Sequence, residues 1–272
     1  MRILISADIE GVAGVVAAEQ TRSGNNEYER ARRWLTQEVN AAIRGACAGG
    51  ADDVVISDAH GNYRNLLADE LDPRARCVSG KPRRLGMLEG LDASCAGVMF
   101  VGYHARAQAA GVLAHTINSS AFARVWLDGH ELGEAGIYAA LAGEMGVPVI
   151  LASGDDAFAD ETQPLLADCR FVVTKEARGR HSALSLAPLA ACAAIESAAR
   201  QAVENATQAR AWRLPLPLCV RVQTVTPAHA DLFCLWPTLE RIDACTLEFA
   251  ADSVEHAVRV LNALSAMACM LR

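Results

Sequence analysis

Short apolar runs recur along the chain. Each ends in a polar cluster, and longer stretches with helical spacing lie between them. Ile3-Leu4-Ile5 reads as a buried first strand that runs into Ser6-Ala7-Asp8-Ile9-Glu10-Gly11. After a small-residue loop from Val12 to Asn25, apolar or small residues fall at 28, 31, 35, 39, 42, 43 and 46. That spacing predicts a helix from about Asn26 to Cys47, stopped by Gly49-Gly50. Val54-Val55-Ile56-Ser57 predicts a second buried strand, followed by Asp58-Ala59-His60-Gly61, and Gly97-Val98-Met99-Phe100-Val101 a third, leading into Gly102-Tyr103-His104-Ala105-Arg106. Strand, helix and strand in this order predict an α/β fold, a parallel sheet flanked by helices, with the polar clusters together at one sheet edge.

The remainder is less regular. Asn65 to Leu91 shows no clear period, and Gly111 to Ala121, which contains His115-Thr116, is loop-like. Val125 to Leu132 predicts a hairpin around Asp128-Gly129. Gly133-Glu134 opens a helix to about Met145. Val147 to Ala152 is a further strand, ending in Gly154-Asp155-Asp156, and Phe171 to Thr174 another. Ala187 to Ala206 is an Ala-rich helix. Leu214-Pro215-Leu216-Pro217 marks a linker. Two strands, Leu218 to Thr224 and Thr246 to Ala250, lie beyond it. A last helix spans about Ser253 to Leu271, with Asp252 as N-cap and Glu255 completing a capping box. The expected organisation is a catalytic α/β domain over 1–207 and a smaller C-terminal α/β domain over 208–272.

Composition narrows the function. With 272 residues, 52% apolar and 21% charged, the chain can bury one large core or two modest ones. The net charge is -7, and the densest basic cluster, Arg30-Ala31-Arg32-Arg33, sits inside the first helix, so nucleic acid is not an expected partner. Nine cysteines, an odd number without any C-x-x-C pair, predict buried free thiols in a reducing compartment. No apolar run reaches the roughly 18 residues that cross a bilayer. Asp8 and Glu10 come too early for a signal-peptide core. The expectation is a soluble cytoplasmic protein with no membrane partner.

Chemistry gathers at the strand ends. Residues two apart on a strand share a side, so Asp8 and Glu10 point together beside a glycine, an arrangement a divalent cation would relieve. Taken alone, the pair fits a solvated acidic turn as well. His60 and His104 follow two other strands, and His115 and Glu134 lie nearby. Each has an ordinary reading: a hydrogen-bonded structural histidine, or a glutamate stabilising the first turn of its helix. Taken together, carboxylates and imidazoles without thiolate suit zinc, and also manganese or cobalt. Three carboxylates and two histidines exceed what one tetrahedral ion needs and suffice for two ions sharing a bridging carboxylate. The residues leave open a dimetal peptidase, another dimetal hydrolase such as an amidase or phosphoesterase, and a metal-binding protein without turnover.

The ordered set Ser6-x-Asp8-x-Glu10-Gly11, Asp58-x-His60, Gly102-Tyr103-His104-Ala105-Arg106, His115-Thr116 and Gly133-Glu134 resembles the motifs of the D-aminopeptidase family. The resemblance extends to Asn26-x-Tyr28-Glu29-Arg30, Glu89-Gly90-Leu91-Asp92 and Gly154-Asp155-Asp156 and so covers most of the chain. It implies two zinc ions per chain, one held by Asp8, Glu10 and His60 and one by Asp8, His104 and Glu134, with Asp8 bridging. It also implies His115 as the catalytic histidine, a decameric ring assembly with an internal channel, and release of N-terminal D-residues, D-Ala above all, from short peptides. Glu89, Asp155 and Asp156 fit functional and structural roles equally.

Overall fold

The computed structural model describes residues 1–271. Strands β1 (Arg2–Ala7), β2 (Asp53–Asp58), β3 (Ala75–Val78) and β4 (Cys95–Tyr103) lie parallel, with helix α1 (Asn26–Ala48) linking β1 to β2. The hairpin of β5 (Phe122–Leu127) and β6 (His130–Glu131) precedes helix α2 (Glu134–Glu144) and strand β7 (Val149–Asp155). A short helix, α3 (Asp156–Thr162), leads into a second hairpin, β8 (Arg170–Gly179) with β9 (Ser182–Ser185), and then into α4 (Pro188–Glu204). The chain closes with β10 (Leu218–Thr224), α5 (Pro227–Phe233), β11 (Glu240–Arg241), β12 (Thr246–Ala251) and α6 (Val254–Met267).

The larger sheet has the order β3-β2-β1-β4-β7-β8-β9 and is parallel except for β9. On one face Leu35, Val39 and Ile43 of α1 and Ile195 of α4 cover Ile3, Ile5, Val54 and Ile56. On the other, Tyr138 and Leu141 of α2 and Leu261 of α6 share a core with Leu4, Val55, Val98 and Phe100. Burial on both faces is why these strands read as unbroken apolar runs. The strand order runs outward from β1 through β2 to β3, and from β4 through β7 to β8. The C-terminal ends of β1 and β4 therefore flank the switch point where α/β sheets open a crevice.

The second sheet, β11-β12-β10-β5-β6, is antiparallel and draws strands from both sides of the 207/208 division. β10 has two edges to satisfy: β12 takes one, and β5, from residues 122–127, takes the other. In the β5–β6 turn Asp128 (φ 49°) and Gly129 (φ 81°) have the paired left-handed backbone of the expected Asp-Gly hairpin.

Several expectations are corrected. The aperiodic 65–91 stretch holds an edge strand, β3, and β8 runs well past Thr174 because β9 pairs with its far end. Ser253, not Asp252, caps α6: its Oγ accepts the His256 N–H at 3.0 Å. Glu255 closes no capping box, because both its oxygens are taken by Arg84 Nε and Nη2 at 2.7 and 2.8 Å, a stronger charged pair. All nine cysteines are unpaired, but only Cys95 and Cys192 are buried. Cys219, for example, faces outward by the strand alternation of β10. Among the described residues one stretch, Val254–Leu271, is long and apolar enough to cross a bilayer; here Ala257, Val258, Leu261 and Leu264 from it sit in the protein core.

Candidate metal centre

At the switch point β1 and β4 approach more closely than side chains permit. Gly11 N–H donates to Gly102 O at 2.7 Å. A Cβ on Gly11 would lie 1.9 Å from Tyr103 O, and one on Gly102 only 2.2 Å from Asp8 O. Gly102 also has the left-handed φ of 73° that glycine tolerates. This approach sets Asp8, Glu10 and His104 side by side, all buried. The loop that follows Glu10 is cinched from β8 by Lys175, a buried lysine whose Nζ donates to the carbonyls of Glu10, Val12 and Val15. From α1, the buried Glu38 accepts the Ala13 N–H at 2.9 Å.

Around Asp8 the polar atoms converge. Asp8 Oδ1 lies 3.2 Å from His60 Nδ1, and Asp8 Oδ2 lies 3.4 Å from His104 Nε2. His60 Nδ1 is 3.0 Å from Glu10 Oε2, and His104 Nε2 is 3.5 Å from Glu134 Oε1. Asp8 Oδ2, Glu10 Oε2 and His104 Nε2 are nonetheless buried without a hydrogen-bond partner. Three orphaned ligand atoms facing one another are costly in a protein interior. Metal–ligand bonds near 2.1 Å at tetrahedral angles set neighbouring ligand atoms about 3.4 Å apart, which is the spacing seen here. The donor set therefore fits divalent cations of the zinc class.

Each imidazole is oriented from behind. His60 Nε2 meets the Thr21 carbonyl at 2.8 Å, and His104 Nδ1 meets the Ala105 carbonyl at 2.9 Å. With those nitrogens donating to backbone, His60 Nδ1 and His104 Nε2 are the ring atoms turned toward the carboxylates, the orientation of metal-ligating histidines. Burial opposes charge throughout the cluster. Even so, His104 and His60 hold the Asp8 carboxyl well below the usual range, and His104 lowers Glu134. Conversely, against burial, Glu134 and Asp8 hold His104 well above the ordinary imidazole value, and Glu10 and Asp8 do the same for His60. The cluster thus draws positive charge inward, and a bound cation would displace those protons.

All six residues anticipated for the site, Asp8, Glu10, His60, His104, His115 and Glu134, come together. His115 stacks on His104, with ring centroids 4.2 Å apart and planes at 11°. Its Nδ1 is tied to the Leu113 carbonyl at 3.1 Å, and its Nε2 stands 3.7 Å from Glu134 Oε1. The loop carrying it is strained on both sides, since Leu113 (φ 53°) and the β-branched Ile117 (φ 58°) are left-handed. The Ile117 N–H donates to Glu134 Oε1 at 2.6 Å. From the β8–β9 tip, Arg180 props the same loop: its Nη1 donates to Ala114 O at 2.6 Å and its carbonyl accepts from Leu113 N. Lys175, Ile117 and Arg180 carry no sequence motif and lie far from their partners in sequence or in an unpatterned loop.

Asp155, Asp156 and Glu89 each accept hydrogen bonds from backbone N–H groups. Asp155 caps α3 through Phe158 N–H at 2.8 Å and anchors the His115 loop through Val112 N–H at 2.6 Å. Asp156 accepts from Ala177 N at 2.7 Å, and Glu89 from Leu85 N at 2.8 Å. A cavity of about 1110 Å³ opens over the centre, lined by Asp8, His60, His115 and Glu134 and also by Tyr63, Lys81 and Arg259.

A crevice at a parallel-sheet switch point, floored by a carboxylate–imidazole cluster built for cations, defines a metal-dependent hydrolase of the α/β class. The profile of the D-aminopeptidase family matches residues 1–263, and the chain belongs to that family. A D-aminopeptidase from Bacillus subtilis (strain 168) is 28% identical over 269 residues, covering 98% of each chain. The solved structure of the zinc-dependent D-aminopeptidase DppA from Bacillus subtilis, described as a self-compartmentalizing protease, superposes with a TM-score of 0.96. That match, at 28% identity, covers 99% of this chain and 98% of the other.

Proposed function

We propose that this D-aminopeptidase-family chain holds two zinc ions and releases N-terminal D-amino acids from short peptides. The observation that carries the reading is the Asp8 carboxylate, whose two oxygens face different imidazoles, Oδ1 to His60 and Oδ2 to His104. Asp8, Glu10 and His60 would hold one ion, and Asp8, His104 and Glu134 the other. When bound, such a pair of ions polarises a substrate carbonyl and lowers the pKa of water toward neutrality. The protein supplies the rest. Asp8 and Glu134 are fixed by backbone donors, the N–H groups of Ile9 and Ile117, so the carboxylates hold their positions as charge shifts. His115 has its Nδ1 on the Leu113 carbonyl and lines the cavity, which leaves Nε2 to pass a proton to the departing amine or stabilise the oxyanion.

The self-compartmentalizing Bacillus structure supports a homo-oligomer, and the reading extends to a decamer whose channel admits only short peptides. The unpaired cysteines support a reducing, cytoplasmic setting. The test is metal analysis joined to turnover. Wild type purified without chelator should carry about two zinc ions per chain and free D-Ala from D-Ala-D-Ala. Asp8→Ala should lose both ions and His60→Ala mainly one. A wild-type protein that binds no zinc, or that cleaves a phosphodiester and no D-aminoacyl peptide, would refute the reading.

A further inference from the structure

We propose that Lys81 and Arg259 form a subsite for the C-terminal carboxylate of the substrate, an inference that rests on the D-aminopeptidase reading above. The cavity over the metal centre is lined by two carboxylates, Asp8 and Glu134, and by four cations, Lys81, Arg83, Arg84 and Arg259. Two of these cations are already engaged. Arg84 is neutralised by both oxygens of Glu255, and the half-buried Arg83 guanidinium donates to the carbonyls of Gly80, Val78 and Asp58 and to Ser57 Oγ. Lys81 makes one hydrogen bond, to Gly61 O at 3.1 Å, and two of its donors remain. Arg259 makes none among the described residues, and its nearest carboxylate oxygen, Glu255 Oε1 at 3.7 Å, already serves Arg84.

Lys81 is held in place relative to the metal centre. Gly61, which Lys81 grips, directly follows His60. Between them and the 80–83 segment stands Tyr63, in the left-handed region (φ 61°), an uncommon conformation for a bulky side chain. It is pinned on both sides, its N–H to His60 O at 2.8 Å and its carbonyl to Gly80 N–H at 2.6 Å. Its ring lies 5.7 Å from Lys81 Nζ and 4.3 Å from Arg83 Cζ. The Tyr63 ring thus seats Lys81 beside the engaged Arg83 at the cavity wall.

The chemistry of a short peptide suits this lining. With its scissile carbonyl at the centre that Asp8, His104 and Glu134 would form, the peptide carries its own carboxylate beyond that centre, in the cavity that Lys81 and Arg259 also line. A residue spans at most about 3.3–3.6 Å of extended chain, so a dipeptide carries its carboxylate only a residue beyond the scissile bond, and Lys81, bonded to the residue after His60, is a cation tethered next to the centre. Charge-assisted bonds there would favour a free acid over a neutral amide, because the amide offers the two cations no charge to pair with.

The zinc-loaded enzyme is assayed with D-Ala-D-Ala and D-Ala-D-Ala amide. The wild type should prefer the free acid by about tenfold or more in kcat/KM. In Lys81→Ala/Arg259→Ala that ratio should fall toward one through a higher KM for the acid, and Arg259→Lys should retain most of it. N-acetyl-D-alanine, which keeps the carboxylate and lacks the free amine, should inhibit the double variant at least about tenfold more weakly than wild type. Equal wild-type turnover of acid and amide, or a preference that survives the double substitution, would overturn the subsite alone. Failure to hydrolyse either peptide would overturn the activity beneath it, and the subsite with it.

Discussion

Glu38 carries a pH signature that can be worked out from its surroundings. It lies fully buried in α1, with Oε1 accepting the Ala13 N–H and Oε2 without a partner. Burial pushes its carboxyl up from 4.5 to about 7, with the Ala13 amide and the Lys175 charge opposing the rise only in part. The native state therefore keeps this proton more tightly than the unfolded chain. Below pH 4.5 both states hold it and the site costs nothing. Between 4.5 and about 7 the unfolded state ionises first, so stability falls as pH rises, by about 1.4 kcal/mol per pH unit. Above that window the cost is complete, on the order of 3 kcal/mol. Glu38→Gln keeps the acceptor for Ala13 and cannot ionise. It should match wild type near pH 4.5 and exceed it at pH 8, where the difference corresponds to a melting-temperature gain on the order of 5–10 °C. Thermal unfolding of both proteins from pH 4.5 to 8 measures the difference, from which titrations at distant sites cancel. A difference that stays flat across this range, or that shrinks as pH rises, would refute the assignment of a buried, protonated Glu38.

His115→Ala should keep the wild-type zinc content and lower kcat by about 10²-fold, consistent with loss of one acid–base or oxyanion group; loss of an ion would make His115 a ligand, and full turnover would make it structural. Light scattering at micromolar concentration should show a particle of about ten chains, whereas a 28.9 kDa monomer would contradict the decamer and its channel.

The parallel sheet was legible because its strands are buried on both faces: Ile3-Leu4-Ile5 and Val54-Val55-Ile56 can be little else between helical spacings. Five of the site residues, Asp8, Glu10, His60, His104 and Glu134, were legible for a related reason, since each follows a strand or opens a helix and α/β folds align strand ends at one edge, whereas His115 sits in an irregular loop and was legible only through the family motif. What sequence could not supply was the pairing of distant segments. β5 and β10 lie about ninety residues apart, and each presents an alternating pattern that any antiparallel partner would satisfy, so only the folded chain joins them across the 207/208 division. Glu255 went to Arg84 because a partner 171 residues away offered a two-pronged charged bond, and the α6 cap fell to Ser253, whose Oγ accepts the His256 N–H. Lys175, Arg180 and Tyr63 follow the same logic. Lys175 and Arg180 are ordinary letters in a hairpin, and Tyr63 is one in a loop. Their roles come from a buried ammonium meeting three carbonyls, a guanidinium reaching the His115 loop, and a left-handed backbone that no local pattern announces. Periodicity records which way a side chain must face. Which group it meets there is decided by tertiary contacts, because desolvated charges and backbone polar groups take whatever partner the fold brings within reach.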